Sequence, residues 1–486
     1  MEPTVRIEQG AVAGTEHNGV FGFLGMPYAQ PPVGDLRWRP PAPPTAWQGV
    51  RPARQFGPIC PQAPGASLDM RVHEQNEDCL YVNVWTSTVG SEVRQPVMVW
   101  IHGGGFLVGA GSEDDCDGAR LAARGVTVVT FNYRLGALGF AAHPRIPANL
   151  GVLDHVAALT WVARNIAAFG GDPDKVTIFG ESAGAFAVRT LLSVGRALGL
   201  FHRAIMQSAG FEPAAATPPP TVERTATGTR ELFDQLGGDD LAALRQVPAS
   251  DIARLAQDLG VAPPPGQVHT PANLLWMPVP DGEVVARDGF PGWPDDVPIM
   301  LGCVENEARY FIKPTGTYND AILSAMAKAL AGPRAGEAVA VLDRSGLTAY
   351  EKLDKLFTTA IWHEPAFASL RRFRHLGRPV YYYHFARVCP GNRERNELAK
   401  HSCEIRYVFG NLEPAEDYDE IDARVSDTMQ HAWSEFARTG TPSSPDGSLW
   451  PRYEDGAPRL TYLDETTQIR PFVTTELTNV IHTLRA

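Results

Sequence analysis

Cysteine is scarce in this 486-residue chain: six residues, too few for a disulfide scaffold. No uninterrupted apolar run reaches the roughly 18 residues that a membrane-crossing helix needs. The start, MEPTVRIEQG, lacks a basic stretch followed by an apolar one, so no secretory signal is expected. The expected location is the cytoplasm, or outside the cell if a signal peptide has been removed. No internal repeat with a period of about 20–50 residues is found. Cys and His show no zinc-type spacing, so neither a metal nor a cofactor is expected. Basic residues are outnumbered, 43 Lys and Arg against 55 Asp and Glu, for a net charge of −12. That balance argues against nucleic acid and anionic membranes as partners and favours neutral or cationic small molecules.

What is present is enough for a large core. Hydrophobic residues make up 44% and charged residues only 20%. The 46 Gly and 41 Pro are scattered without period, which points to a loop-rich globular protein. The first 60 residues look Pro-rich and irregular, an extended wrap over the core surface. Short apolar runs then read as strands: Leu80–Trp85, Val97–Ile101, Val126–Phe131, Val176–Phe179, Ala204–Met206, Val297–Leu301 and Val380–Phe385. Helical spacing covers Asp154–Ala168, a stretch after Ser182, and Val425–Arg438. Strands alternating with helices predict an α/β fold, a large, mostly parallel central sheet covered on both faces. Residues 211–296 and about 318–374 break that rhythm and read as helical insertions over a site. No linker divides the chain, so residues 1–486 are read as a single domain.

Gly180-Glu181-Ser182-Ala183-Gly184 follows one strand and precedes a helix. A Ser held on a sharp strand-to-helix turn presents its hydroxyl above a sheet, with main-chain N–H groups at the helix start. The plain alternative is a Ser that merely caps a helix. His102-Gly103-Gly104-Gly105-Phe106 follows another strand. Consecutive glycines let N–H groups face a substrate oxygen, as acyl transfer requires. A Ser nucleophile needs a base, and the chain order for this arrangement is Ser, acid, His. That order removes His17, His73, His102, His143 and His155. His202 lies too close to Ser182, His363 and His431 sit in helical patterns, and His384 lies in a strand. His269, His375 and His482 fall in or beside polar segments. His401 stands in a loop, LAKHSCEIRYVFGNL. For the acid, Glu305 and Glu307 both follow the strand VPIML, and pattern alone does not choose between them.

With these residues in hand, the chain resembles the type-B carboxylesterase family, the cholinesterase-like and para-nitrobenzyl-esterase-like branch of the α/β-hydrolases. The likeness runs through FLGMPYAQPPVGDLRWRPP, NEDCLYVNVW, VWIHGGGF, FNYRLGALGF, VTIFGESAGA, FHRAIMQSAG, YVFGNL and WSEFARTGTP. The resemblance implies the α/β-hydrolase fold with Ser182 as nucleophile, Glu307 as acid and His401 as base. It implies Gly104, Gly105 and Ala183 as oxyanion donors, Ser208 as a supporting hydroxyl and Glu181 as a buried network acid. It also implies a possible disulfide between Cys60 and Cys79, as in secreted members. Loop 61–78 has no Trp, Tyr or Phe, which argues against recognition of choline esters. Cys403, two residues past His401, departs from the family pattern and suggests thiol sensitivity. The expected activity is serine hydrolysis of small to medium neutral esters through an acyl-enzyme. The alternatives are the same machinery on carbamates or amides or as an acyltransferase, and, more remotely, a non-catalytic esterase-like binding protein.

Overall fold

The computed structural model describes residues 2–63, 74–261, 270–271, 273–287 and 297–485. His73 and His269, residues 64–73 of the aromatic-free loop, and residues 262–269, 272 and 288–296 of the first insertion lie outside the described residues.

The strands in chain order are β1 (Thr4–Ile7), β2 (Gly10–Ala13), β3 (Thr15–His17), β4 (Val20–Pro27), β5 (Val50–Pro52), β6 (Tyr81–Thr86) and β7 (Gln95–Ile101). They continue with β8 (Thr127–Phe131), β9 (Gly171–Glu181), β10 (Arg203–Gln207), β11 (Ile299–Val304), β12 (Val380–Phe385), β13 (Arg459–Leu463) and β14 (Thr467–Pro471). One sheet of 11 strands runs β14-β13-β12-β11-β10-β9-β7-β8-β6-β4-β3, and β1, β2 and β5 form a small second sheet. The neighbours from β13 to β8 pair in parallel, and antiparallel pairs close both edges. The central strands are buried on both faces, and their side chains divide by the strand period of two. Val97, Val99 and Ile101 of β7 enter one apolar cluster, while Met98 and Trp100 enter the other. Val380 and Tyr382 of β12 divide in the same way from Tyr381, Tyr383 and Phe385.

The N-terminal reading needs correction. Residues 4–27 form strands rather than a wrap, and β4 pairs with β6 inside the large sheet. The prolines responsible for that expectation cluster at 31–44, and that stretch does run without strands. It is pinned by Trp38, whose indole N–H donates to Ala137 O at 3.0 Å. The hairpin β13–β14 was missed because its exposed, polar edge carries no apolar run.

Helix ends follow local chemistry. The helix Leu150–Asn165 starts after Asn149 in the left-handed region, four residues before the expected start. The helix Glu420–Thr439 begins with a reciprocal Asp419–Asp422 capping box and ends at Gly440 with φ 82°. In the insertions, helices cover Val222–Gln235, Leu241–Leu244 and Ala249–Gly260, then Asp320–Ala331, Ala335–Asp343, Ala349–Thr358 and Glu364–His375. A π-helical turn at Thr359–His363 joins the last two.

All six cysteines are free. Cys60 and Cys79, the pair for which the resemblance implies a possible bridge, are both buried. The two are neighbouring buried thiols; contact with Cys60, together with burial, pushes the Cys79 thiol up. Cys60 Sγ accepts from the Leu135 N–H at 3.3 Å. Among the described residues, no helix is long and apolar enough to cross a membrane, and no group of three or more His, Cys, Asp and Glu could hold a metal ion.

Candidate active site

The strand β9 ends at Glu181, and the helix Ala183–Leu191 begins two residues later. Ser182 joins them with φ 54° and ψ −125°, a conformation that costs a non-glycine residue strain. Its N–H donates to Gln207 O at 2.9 Å, tying the turn to the end of β10. The turn closes so tightly on β7 that a Cβ at Gly184 would lie 1.9 Å from Ile101 O. Only glycine fits there, which gives the sequence pattern its physical reason.

Ser182 lines a cavity of about 500 Å³ together with Gly104, Gly105 and Ala183. The N–H groups of those three residues make no hydrogen bond to any described residue. Ala183 owes this to its place in the first helical turn. Gly104, at φ +95°, packs so closely that a Cβ would meet Val108 O at 2.2 Å. Behind this loop His102 is buried and stacks on Tyr133 at 4.3 Å. Burial lowers its imidazole to about 4, so it stands neutral.

The other half of the site comes from the carboxyl ends of β11 and β12. Glu307 opens a short turn after β11 and is fully buried. His401 Nδ1 lies 2.5 Å from Glu307 Oε2, and Val304 N–H donates to Oε1 at 3.0 Å. Glu305 turns the other way and pairs with His384 Nε2 at 2.6 Å. The structure thus separates the two acids that the sequence left as equals. His401 Nε2 lies 3.1 Å from Glu181 Oε1, beside Ser182 in the chain, yet hydrogen-bonds no described residue. The rings of Phe311 and Trp362 pack against His401 with centroids 5.3 and 5.5 Å away, and both also line the cavity. The π-helical turn carries Trp362 into this position.

Burial raises Glu307 to about 8, opposed by hydrogen bonds from Ser208 and Val304. Burial likewise raises Glu181 and Glu404, and each carboxylate makes its neighbours harder to ionise. Burial lowers His401 below the usual imidazole range, while Glu181 pulls it up.

Two members of this network were not assigned from the sequence. Ser402 Oγ donates to Glu181 Oε1 at 2.8 Å. Glu404, fully buried, accepts from Gln207 Nε2 at 3.4 Å and from Ser208 Oγ at 3.5 Å. Glu404 stands three residues past His401, and that fixed spacing was the available signal. Burial pushes the Cys403 thiol well above its ordinary value, so little reactive thiolate forms at neutral pH. This argues against the expected thiol sensitivity.

Comparison with known proteins bears on the family and the fold. A family profile described as the carboxylesterase family matches residues 1–480. A para-nitrobenzyl esterase of Bacillus subtilis (strain 168) is 38% identical over 484 residues, 95% of this chain and 94% of that protein. A fumonisin B1 esterase of Sphingopyxis macrogoltabida is 36% identical over 482 residues, 94% of this chain and 85% of that protein. A solved para-nitrobenzyl esterase superposes with a TM-score of 0.84 at 35% identity, covering 99% of this chain and 100% of that one.

Proposed function

Because the chain belongs to the carboxylesterase family and has the α/β-hydrolase fold, we propose that it hydrolyses small to medium carboxylic esters through an acyl-enzyme on Ser182. His401 Nε2 takes the hydroxyl proton as Ser182 Oγ attacks the ester carbonyl carbon. The carbonyl oxygen becomes an oxyanion, held by the N–H groups of Gly104, Gly105 and Ala183. As the tetrahedral intermediate collapses, His401 returns the proton to the departing alkoxide and an alcohol leaves. A water then repeats the sequence on the acyl-enzyme: His401 takes its proton, the hydroxide attacks, and Ser182 leaves with that proton. Glu307 holds the imidazole by Nδ1, which keeps Nε2 as the acceptor and stabilises the imidazolium. Ser208, Glu404, Glu181 and Ser402 brace these groups, and the two helical insertions serve as the cap of a single domain.

The observation that carries this reading is one cavity lined by a strained Ser182 and by three residues whose N–H groups bond to no described residue. A cavity of about 500 Å³ suits small to medium esters. The test is turnover of an aryl ester by Ser182→Ala, with circular dichroism as the check on folding. A loss of about 10⁴-fold or more is expected; near wild-type turnover by the folded variant overturns the proposal.

A further inference from the structure

The cavity's walls are largely apolar and proline-rich, except at one end. Among its described lining residues, the charged side chains are Arg189, Arg287, Arg372 and a single carboxylate, Glu212. Arg189 sits on the helix that starts after Ser182, seven residues along, and so about 10 Å from the reacting hydroxyl. Glu212 lies between two guanidinium groups: Arg189 Nη2 is 2.5 Å from Oε1, and Arg372 Nη1 is 3.1 Å from Oε2. The Glu212 N–H donates to Ser369 Oγ at 2.6 Å, which fixes the segment that carries it. Burial works to raise the Glu212 carboxyl, but Arg189, Arg372 and Arg485 outweigh it and hold the group ionised.

The cluster is not confined to one wall. A second cavity of about 250 Å³ shares Glu212 and Arg372 and adds Arg371, Arg485 and His482. Glu364 there takes both Arg485 and His482, at 2.6 and 2.7 Å. The described residues that line the two cavities thus include five arginines and one carboxylate, with Glu364 held behind Arg485, in a chain whose net charge is −12. Overall acidity discourages anions at long range, while a basic cluster at the end of a low-dielectric cleft attracts them locally. The way Glu212 fits against two guanidinium groups shows that the cluster's geometry suits a planar carboxylate.

We propose that this end of the cavity is a carboxylate-binding subsite, built on Arg372 and Arg189, and that the preferred esters carry a second, ionised carboxyl group remote from the scissile bond. The proposal rests on the ester-hydrolase reading above and narrows its substrate class. No new bond chemistry is involved: the remote carboxylate is held, and the ester at Ser182 is cleaved as already described.

The test compares kcat/KM for monobenzyl esters of dicarboxylic acids, from succinic to sebacic, with their methyl-capped neutral counterparts. A parallel series places the carboxylate on the alcohol, as 4-carboxybenzyl against 4-(methoxycarbonyl)benzyl alkanoates. In at least one series the charged ester is expected to be preferred about fivefold or more. Added salt is expected to weaken that preference. Arg372→Gln should abolish it, and Arg372→Lys should restore it in part. Calorimetry on Ser182→Ala with the same esters reads the subsite without turnover. Preference for the neutral ester throughout both series overturns the subsite, as does a preference unchanged in Arg372→Gln. If wild type cleaves no ester while Ser182→Ala binds the charged ester in an Arg372-dependent way, the ester-hydrolase reading fails and the subsite stands.

Discussion

Two glutamate–histidine pairs branch from the end of β11, only two residues apart, and they behave as opposites. Glu305 meets His384 at 2.6 Å and Glu307 meets His401 at 2.5 Å, so contact distance does not distinguish them. Surroundings do. The Glu305 side chain is 40% exposed, whereas that of Glu307 is 0% exposed. Burial raises Glu305 too, but the hydrogen bond and charge of His384 overcome it and bring the group to about 2. For Glu307, burial takes the group to about 8, and it is the His401 ring at 2.5 Å that favours its carboxylate. The rings also bind by different nitrogens. His384 uses Nε2 for its acid and stacks on Tyr462. His401 uses Nδ1, which leaves Nε2 facing Glu181 and the strand end that carries Ser182. An acid–imidazole pair is thus not in itself a catalytic device; the proposed mechanism needs the second nitrogen on the side of Ser182, and only His401 leaves one beside Glu181, its chain neighbour.

The sharpest way to break this contrast is to remove each imidazole. His401→Gln should lower kcat/KM for an aryl ester by about 10⁴-fold or more, as expected for a sole general base. His384→Gln should stay within about threefold of wild type. Comparable losses in the two folded variants would mean that the exposed pair takes part in the chemistry.

The acids give the next largest contrast. Glu307→Gln keeps the shape but loses the charge that selects the imidazole tautomer, and losses near 10³–10⁴-fold accompany such a change elsewhere. Glu305→Gln should cost no more than about threefold in kcat. The reverse ranking would show that Glu305 takes over His401 when substrate binds.

That the two acids needed coordinates to separate them marks where sequence reasoning ends. Ser182, Gly104 and Gly105 were legible because their signal is local: a strained turn, a close main-chain approach, a strand before and a helix after. Choosing Glu307 over Glu305 depends on a partner 94 residues further along the chain. Only the family resemblance supplied that choice in advance. Buried strands such as β7 and β12 announced themselves as apolar runs, while the polar edge hairpin β13–β14 gave no such sign. The basic end of the cavity was hidden for a related reason. Arg189, Glu212 and Arg372 come from three distant segments, and a net charge of −12 averages their cluster away.

The pH profile sharpens the comparison further. In the proposed mechanism His401 must be neutral to accept the Ser182 proton, so activity should be lost as pH falls through its folded-state value. Burial sets that value below the ordinary imidazole value of about 6.5. The acid limb of kcat/KM should therefore have its midpoint below about 6.5. Only an ionised Glu181 opposes burial by favouring the imidazolium. Burial raises that carboxyl to about 8 and leaves it largely uncharged over this limb, so Glu181→Gln and Glu305→Gln should both leave the midpoint within about half a pH unit. A midpoint that falls by about a full pH unit in Glu181→Gln would mean that this carboxyl is ionised in the working enzyme.

The smallest expected effect concerns Cys403, two residues past His401. Its thiol is pushed up first by burial and then by the charge of Glu404. Both influences suppress the thiolate, which is the form that reacts with alkylating reagents. Iodoacetamide at neutral pH should inactivate wild type no faster than Cys403→Ser, and the substitution should change kcat/KM by less than about twofold. Rapid inactivation of wild type that Cys403→Ser abolishes would mean that this half-buried thiol ionises more readily than its burial and the charge of Glu404 allow.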